Sequence, residues 1–403
     1  TIKSGGGVGA TAGGIGGPRR VLITAELALT VMLLVGSGLM LRSLDRLLSE
    51  QMGMNPEHVG TLELTIAGRR SAAEVAEVNA VLERLGADPG ISAAGAVNNL
   101  PLRGVSGIGI SIKVDGAPEP TSMDDMKYSS YLMATAGYFK ALAIPLLRGR
   151  VFTASDDSLA PKVAVINMAM ATTFWPNTDP IGKTFHMMGP DPITVVGLVA
   201  DVHERSLEKS GGSQMYFPIG QQTPSNLAIV ARSTLPPSVL LARLRDAVRA
   251  IDPTQAVYEA RMMDDVIATS VAPRRTNTVL IAIFGALALA LAAFGVYAVV
   301  SYGVTRRARE FGIRAALGAT GRDIAALVVG EMAPVVATGL ALGMLGAWAL
   351  SRVLASLLYG VGAHDVATFV AAPVVLIIPA LLATLVPVRR AMRVDPTEVM
   401  RAE

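Results

Sequence analysis

The sequence predicts an α-helical membrane protein in which an α+β domain outside the membrane is inserted between the first and second of four transmembrane helices. Of its 403 residues, 51% are hydrophobic and only 17% are charged, whereas an average soluble domain carries about 25% charged residues. The shortage of charged residues arises from four long apolar segments that contain almost none. One long charge-containing segment separates the first of them from the other three.

The chain begins with a glycine-rich segment, residues 1–18, that ends in Pro18. Such a composition buries too little apolar surface to offset its backbone entropy, so we expect a flexible linker. Residues 19–48 are expected to form the first transmembrane helix and a stalk, because the apolar run 21–41 is long enough to cross a hydrocarbon core of about 30 Å. Glu26 lies inside this run. It is either a carboxylate at the interface or in a helix–helix contact, or a functional intramembrane acid.

Residues 49–262 are expected to form the outer domain, where charges are frequent and no apolar run is long enough to span a membrane. Alternating and helical apolar spacings predict strands interleaved with short helices, which is typical of an α+β domain, here with two subdomains. The predicted strands are 61–66, 108–114, 128–134, 162–167, 193–200 and 226–232. The predicted helices are 72–85, 135–142, 168–175 and 237–251.

The remaining spans lie in residues 263–403, at about 276–305, 332–351 and 366–388. The second span would be about 45 Å long as a helix, which exceeds the bilayer core and requires tilt or projection beyond the membrane. Gly339 and Gly343 have the spacing of a helix-packing face, although a chance match is equally common in a segment so rich in alanine and glycine. In the tail, Asp395, Pro396 and Glu398 predict the start of a short amphipathic helix.

Lysine and arginine counts indicate the topology, because cytoplasmic flanks of membrane spans carry the excess of these residues. The connection 306–331 holds five, the tail 389–403 four and the first 20 residues three, whereas 352–365 holds only Arg352. Both termini are therefore expected in the cytoplasm, and residues 42–275 on the opposite side. The net charge of +3 is small and no basic stripe is interleaved with aromatic residues, so we expect no nucleic-acid partner.

No arrangement of residues in the sequence predicts catalysis. Without cysteine, disulfides and thiolate metal sites are excluded. His203 and Glu204 begin like a zinc-protease motif, but Leu207 stands where the second histidine is needed. Residues 182–184 resemble the end of a phosphate-binding loop, but Asn177 replaces its glycine. Two acidic pairs are expected to be solvated or to start helices: Asp156 with Asp157, and Asp264 with Asp265. We therefore expect no catalytic residue, cofactor or metal site.

The stretch 305–323 connects the second and third spans and holds five arginines. A helical pattern continues from the second span through Leu317, and Gly318 is suited to end it. Thr320 and Asp323 have the spacing of a capping box that begins the next helix. We therefore expect two helices that meet at a tight corner, each continuous with a transmembrane helix. A force on this corner would move both spans; the alternative is a plain turn whose arginines only fix orientation.

Residues 309–319, Arg-Glu-Phe-Gly-Ile-Arg-Ala-Ala-Leu-Gly-Ala, resemble the signature of FtsX/MacB-type ABC transporter permeases. The tail resembles the ending of the same family. One departure from the family's pattern is Met168, which follows Asn167 at a position where the resemblance leads us to expect an acidic residue. The segments of the outer domain that resemble the MacB-like periplasmic core domain are 137–142, 144–150, 165–167 and 179–183. The resemblance covers residues 19–403 and is strongest for the second unit of the duplicated, acidobacterial-type permeases.

The resemblance implies the permease subunit of a mechanotransmitting ABC transporter in the bacterial inner membrane. Such a subunit couples a cytoplasmic ABC ATPase to movements of the periplasmic domain for efflux or export. ATP hydrolysis would take place on the separate ATPase, so this chain would not be an enzyme. The implied partners are the ATPase, a second permease unit in the same longer chain or as a dimer, and a periplasmic protein. The implied coupling residues are Arg309, Glu310, Gly312, Ile313, Arg314, Leu317, Gly318 and Ala319.

A second hypothesis is an ectodomain-based membrane sensor or scaffold without transport, working with or without an ATPase. A secondary transporter is disfavoured, because the spans after residue 276 contain essentially no polar residues near the bilayer midplane.

Overall fold

The computed structural model describes residues 17–65, 72–103, 108–115, 122, 126–187, 189–208, 211–222 and 224–391. The chain divides into two compact units: the helical unit, made of Thr1–Leu47 and Arg274–Glu403, and the ectodomain, Leu48–Pro273. The predicted tail helix, and the predicted linker apart from its last two residues, lie outside the described residues.

The elements follow one another in this order: α1 Gly17–Leu48, β1 Val59–Thr65, α2 Ala72–Gly86, β2 Ile91–Val97, β3 Ile108–Ser111, β4 Lys113–Val114, β5 Tyr128–Ala134, α3 Ala136–Ala141, β6 Leu146–Gly149, β7 Val163–Asn167, α4 Met168–Phe174, β8 Thr184–His186, β9 Ile193–Val199, β10 Gln214–Pro218, β11 Asn226–Ser233, α5 Pro237–Ile251, β12 Val257–Met262, α6 Met263–Arg306, α7 Ala308–Ala316, α8 Gly321–Leu354 and α9 Val366–Ala391.

The described strands of the ectodomain form one mixed sheet in the order β12-β1-β11-β2-β5-β10-β7-β9-β8-β4, with β3 beside β5 and β6 beside β9. The pairs β5–β10 and β7–β9 are parallel, and the other pairs are antiparallel. The two halves of the sheet join at β2 and β5 through the residue pair Val97–Ala134. This confirms an α+β ectodomain between the first and second apolar helices.

Each half of the sheet has its own apolar core. Helices α2 and α5 cover the first half, where Leu85 and Leu244 are buried with Leu62 of β1. Helix α4 lies on the second half, where Met170 is buried with Phe185 and other residues of β7 to β10. A third apolar cluster joins the two halves, because it contains residues of β1, β2 and β11 as well as of β5, β7, β9 and β10.

The predicted helices of the ectodomain are confirmed as α2 to α5, and most predicted strands are confirmed within two residues. The predicted strand 108–114 is broken into β3 and β4 at Ile112. Five strands were not predicted: β2, β6, β8, β10 and β12. The reason is clearest for β10, in which every residue is buried. A strand covered on both faces shows no alternation of polar and apolar residues, so only its residue types can identify it. The equally buried β7 is rich in valine and isoleucine, which favour strands, whereas β10 has neither.

Four helices of the described chain are long and apolar enough to cross a membrane: α1, α6, α8 and α9. Helix α6 extends over 44 residues and begins at Met263, well before the predicted start of the second span at residue 276. The predicted apolar segments therefore all lie within longer helices.

Helix α1 packs closely against α8 through small residues. A Cβ added at Gly339 would lie 2.8 Å from Cβ of Leu27, and one added at Gly343 would lie 2.7 Å from Cβ of Val31. Such contacts are possible only because glycine has no side chain, so the prediction that Gly339 and Gly343 form a helix-packing face is confirmed. On α6, the backbone oxygen of Ile281 accepts a hydrogen bond from Oγ of Ser37 at 3.0 Å.

Candidate functional site: the helical corner

The corner contains an additional short helix. Helix α6 ends at Arg306, and the Arg307 amide donates to the Val304 oxygen at 3.2 Å, a tightened last turn. The prediction that the helix of the second span runs on to Leu317 is therefore wrong. The break is stabilised by an ion pair between the Arg307 guanidinium and the carboxylate of Glu331 on α8. The pair connects the break to α8, and the separate helix α7 follows.

Phe311 anchors α7 to the bundle. Its side chain is only 5% exposed and belongs to the same buried cluster as Val304 of α6 and Ile324 and Val328 of α8. Burying an aromatic side chain of this size contributes roughly 1.5–3 kcal/mol. The position of α7 is therefore set by side-chain packing as well as by the chain connections at its two ends.

The opposite face of α7 is exposed and combines charge with apolar surface. Arg314 pairs with Glu310 one turn earlier at 2.7 Å, an exposed contact that contributes roughly 0.3–0.5 kcal/mol. Ile313 is 55% exposed and Leu317 is 83% exposed. Together with Arg309, which is also exposed, these two residues follow the i, i+4 spacing of one helix face. The arrangement is suited to binding a partner by shape and charge rather than to chemical catalysis.

The end of α7 and the start of α8 follow the predicted capping pattern. Gly318 has a φ of +98°, and the Ala319 amide reaches back to the Arg314 oxygen at 3.0 Å, which is the bonding of a Schellman motif. The Asp323 carboxylate accepts hydrogen bonds from the Thr320 amide and hydroxyl, both at 2.7 Å. The predicted helix stop and the predicted capping box are confirmed.

The eight predicted coupling residues lie together on α7 and in the turn that follows it. Glu26 does not belong to this group. It lies on α1 beside α6, where a Cβ added at Gly295 would be 2.6 Å from the Glu26 carboxylate. Neither the ion pair of Arg307 with Glu331 nor the burial of Phe311 was predicted from the sequence. The sequence offers one signal for the pair: Glu331 stands directly before the third predicted span, at the end of the connection that holds the five arginines.

Two family profiles match the chain in succession. The MacB-like periplasmic core domain matches residues 21–257, and the FtsX-like permease C-terminal domain matches residues 282–396.

No group of histidine, aspartate or glutamate side chains suited to a metal ion occurs among the residues that the structure describes.

Relatives of the chain include ABC export proteins. It is 26% identical to the pyoverdine export ATP-binding/permease protein PvdT of Pseudomonas savastanoi pv. phaseolicola, over 72% of this chain and 45% of that protein. It is 25% identical to the uncharacterized ABC transporter permease YknZ of Bacillus subtilis, over 59% of this chain and 62% of that protein. The chain thus spans less than half the length of the first relative and less than two thirds of the second.

A solved structure similar to the chain is the periplasmic region of MacB from Actinobacillus actinomycetemcomitans. The match has 14% identity and a TM-score of 0.38, and covers 56% of this chain and 97% of that one. The MacB-like profile alone spans more than half of the 403 residues, and the FtsX-like profile follows it. The chain therefore belongs to the family of ABC transporter permeases that join a MacB-like periplasmic core domain to an FtsX-like permease domain.

Proposed function

We propose that this chain is the permease part of an ABC exporter in which a cytoplasmic ATPase docks on α7 and drives movements of the ectodomain. The observation that carries the proposal is that residues of α6 belong to two different apolar cores. Met263 and Val266, in its first turn, belong to a core of the ectodomain. Val296 and Val300, near its other end, belong to the core of the helical unit, three turns or fewer before the corner. One helix therefore contributes side chains to both cores.

The relatives support export as the process, because PvdT is named as an export ATP-binding/permease protein. The ATPase that we propose lies outside these 403 residues. In this arrangement nucleotide-driven movement of the ATPase displaces α7, and α6 transmits the displacement. The substrate would be acted on outside the membrane rather than passing through a pore between the helices.

The proposal includes a topology. Five arginines in 306–331, against one in 352–365, favour a cytoplasmic corner, cytoplasmic termini and a periplasmic ectodomain. We further propose that a second permease unit, either in a longer chain or as a second copy, completes the transporter, and that a periplasmic protein joins the ectodomain.

Charge reversal on α7 tests the proposal. We expect Arg309→Glu and Glu310→Lys to abolish stimulation of the ATPase by the permease, while membrane insertion and the melting temperature are retained. Both side chains are exposed, and the described contact that is lost is the Glu310–Arg314 pair. Arg322→Glu is the matched control, since Arg322 is exposed on α8 outside the α7 surface. Unchanged ATPase stimulation in both α7 variants would rule out docking at this surface.

A ligand-sensing ectodomain without transport is the second candidate. One observation favours it: the ectodomain contains a cavity of about 830 Å³ whose lining includes Asn79, Thr135, Phe152 and Gln221. Its mixture of amide, hydroxyl and aromatic groups suits a small polar ligand. Co-purification from native membranes separates the two candidates, because an ATPase present in stoichiometric amount would exclude the sensor without an ATPase.

A further inference from the structure

A cavity of about 640 Å³ lies in the helical unit, where the start of α1 and the end of α6 meet α7 and α8. Its apolar walls are formed by Val299, Val300, Val304, Phe311, Val328 and Met332. The lining also includes three arginines and one glutamate: Arg19, Arg306, Arg307 and Glu331. The cavity therefore combines a hydrocarbon-like wall with an excess of positive charge.

Two of these arginines lie against one aromatic ring. The guanidinium carbon of Arg19 is 4.5 Å from the centroid of the Tyr302 ring, and that of Arg306 is 5.4 Å from it. Arg307 is neutralised by Glu331. Within the described part of the chain, neither Arg19 nor Arg306 has a carboxylate partner. Like charges near one another repel, so an anion bound close to both guanidinium groups would be stabilised by both.

The position of the cavity indicates what kind of anion it accepts. Two apolar runs begin or end next to residues of its lining. The apolar run of α1 begins two residues after Arg19, and the apolar run of α6 ends directly before Arg306. In a bilayer, residues at such ends lie at the level of the lipid headgroups. A phospholipid places a phosphate in that layer and acyl chains against apolar helix surfaces. Arginine binds phosphate through paired N–H donors, so the cavity offers complementary groups to both parts of the lipid.

We propose that this cavity binds one anionic phospholipid, with its phosphate held by Arg19 and Arg306 and its acyl chains along the valine-lined wall. Because Phe311 contributes to the same wall, the lipid would also hold α7 against the bundle. The inference requires only that the apolar helices span a bilayer, and it stands whether or not an ATPase docks on α7.

Native mass spectrometry of the full-length protein in detergent tests the proposal, with phosphatidylglycerol as the probe. We expect binding to saturate at one lipid per chain, and Arg19→Gln or Arg306→Gln each to weaken it about fivefold or more, since an arginine near an anionic lipid contributes about 1 kcal/mol. Arg322→Gln is the matched control, because it removes the same charge from the start of α8, near the cavity but outside its lining. Equal weakening by Arg322→Gln would show general surface attraction and overturn the site.

A second variant tests the shape of the cavity without changing charge. Gly303 lines the cavity, and a Cβ added there meets no atom within 4 Å. Gly303→Leu should therefore fold normally, as judged by an unchanged melting temperature, and weaken phosphatidylglycerol binding by occupying the space of an acyl chain. Full binding in Gly303→Leu would overturn the cavity as the site.

Two further ligands distinguish the source of the phosphate. Phosphatidylethanolamine should bind more weakly than phosphatidylglycerol, and inorganic phosphate should not displace bound phosphatidylglycerol. Equal affinity for both lipids would overturn selectivity for an anionic headgroup. Displacement by inorganic phosphate would identify a site for a soluble anion instead of a lipid.

Discussion

Arg150 donates two parallel hydrogen bonds to the carboxylate of Asp156, from Nη1 to Oδ2 at 2.7 Å and from Nη2 to Oδ1 at 2.9 Å. Oδ2 also accepts the Thr153 amide at 2.8 Å. Asp156 is buried, so the expectation that it is a solvated or helix-starting acid is wrong. Its neighbour Asp157 accepts the Leu159 amide at 2.9 Å and starts a turn. The ion pair between Arg150 and Asp156 closes the loop that follows β6.

Replacing the Asp156 carboxylate tests this pair. We expect Asp156→Asn to lower the local stability of residues 150–157 by roughly 1–2 kcal/mol, because a charge-assisted bidentate contact becomes a weaker neutral one. Hydrogen exchange of these amides, measured by mass spectrometry on the full chain, should accelerate about 5–30-fold. Asp191→Asn is the control, since Asp191 pairs with Lys162 at the surface and should leave exchange unchanged. Equal acceleration by the two variants would contradict a special role for Asp156.

The same pair predicts a dependence on pH. The hydrogen bond from Arg150 lowers the pKa of Asp156 below its usual value, and burial opposes this effect only in part. A carboxyl group with a lowered pKa in the folded state adds stability above the unfolded pKa of about 3.9 and loses it as the pH falls through the folded pKa. The difference in unfolding midpoint between the wild type and Asp156→Asn should therefore be constant near neutral pH and shrink in acid. A difference that grows in acid would contradict this assignment.

The contact of α1 with α8 predicts different effects of two glycine substitutions on one helix. A Cβ added at Gly343 would lie 2.7 Å from Cβ of Val31 and 2.8 Å from the Ala28 oxygen, whereas one added at Gly330 meets no atom within 4 Å. We expect Gly343→Ala to destabilise the helical unit by roughly 1–3 kcal/mol through overpacking. Gly330→Ala should be neutral or stabilise it by up to about 1 kcal/mol through helix propensity. The melting temperature in detergent measures both, and equal shifts would argue against the packing face.

Local signals made much of the fold predictable. A transmembrane helix is recognised by the length of its apolar run, and the stop at Gly318 and the cap at Thr320 depend on residues within one turn. The break after Arg306 was not predictable in this way. It depends on Glu331, more than six turns of helix further along the chain, and on the burial of Phe311 in a core formed by other helices.

Close contacts between two stretches of backbone were also not predictable from the sequence. The unpredicted strand β2 contains Gly95, and α3 contains Gly137. A Cβ at Gly95 would lie 2.0 Å from the Tyr138 nitrogen, and one at Gly137 would lie 1.9 Å from the Ala94 oxygen. Backbone therefore meets backbone between the helix and the strand, which only glycine permits. Strand β2 lies near the middle of the sheet, but its small residues do not alternate with polar ones, so the sequence does not predict it.

The start of α4 shows how a missing side chain is replaced from elsewhere. Met168 stands where an acid was expected after Asn167, and Asn167 caps the helix by accepting the Met170 amide at 3.0 Å. The Ala169 amide donates instead to the carboxylate of Asp201 at 2.8 Å. An acid from a distant loop therefore stabilises the helix N-terminus, a compensation that is visible only in three dimensions.

The left-handed conformation of Gly318 predicts how the corner tolerates substitution. Valine is strained at a φ of +98°, so Gly318→Val should destabilise the end of α7 by roughly 1–2 kcal/mol, while Gly318→Asn should retain most of the stability because asparagine visits this region. Hydrogen exchange of residues 317–320 measures the effect. Gly312→Ala is the control inside α7, since its added Cβ meets open space. Equal protection in Gly318→Val and Gly318→Asn would show that the turn does not depend on this backbone conformation.

The surroundings of Glu26 favour a helix–helix contact over a functional acid. An added Cβ at Gly295 would lie 2.6 Å from its carboxylate oxygen, so the side chain occupies space that glycine leaves on α6. Glutamine has the same shape but cannot ionise. If shape is what matters, Glu26→Gln should retain both the melting temperature and ATPase stimulation, whereas Glu26→Trp should lower the melting temperature because the added volume does not fit beside α6. Loss of ATPase stimulation in Glu26→Gln, at an unchanged melting temperature, would instead identify Glu26 as a functional intramembrane acid, because only its ability to ionise has changed.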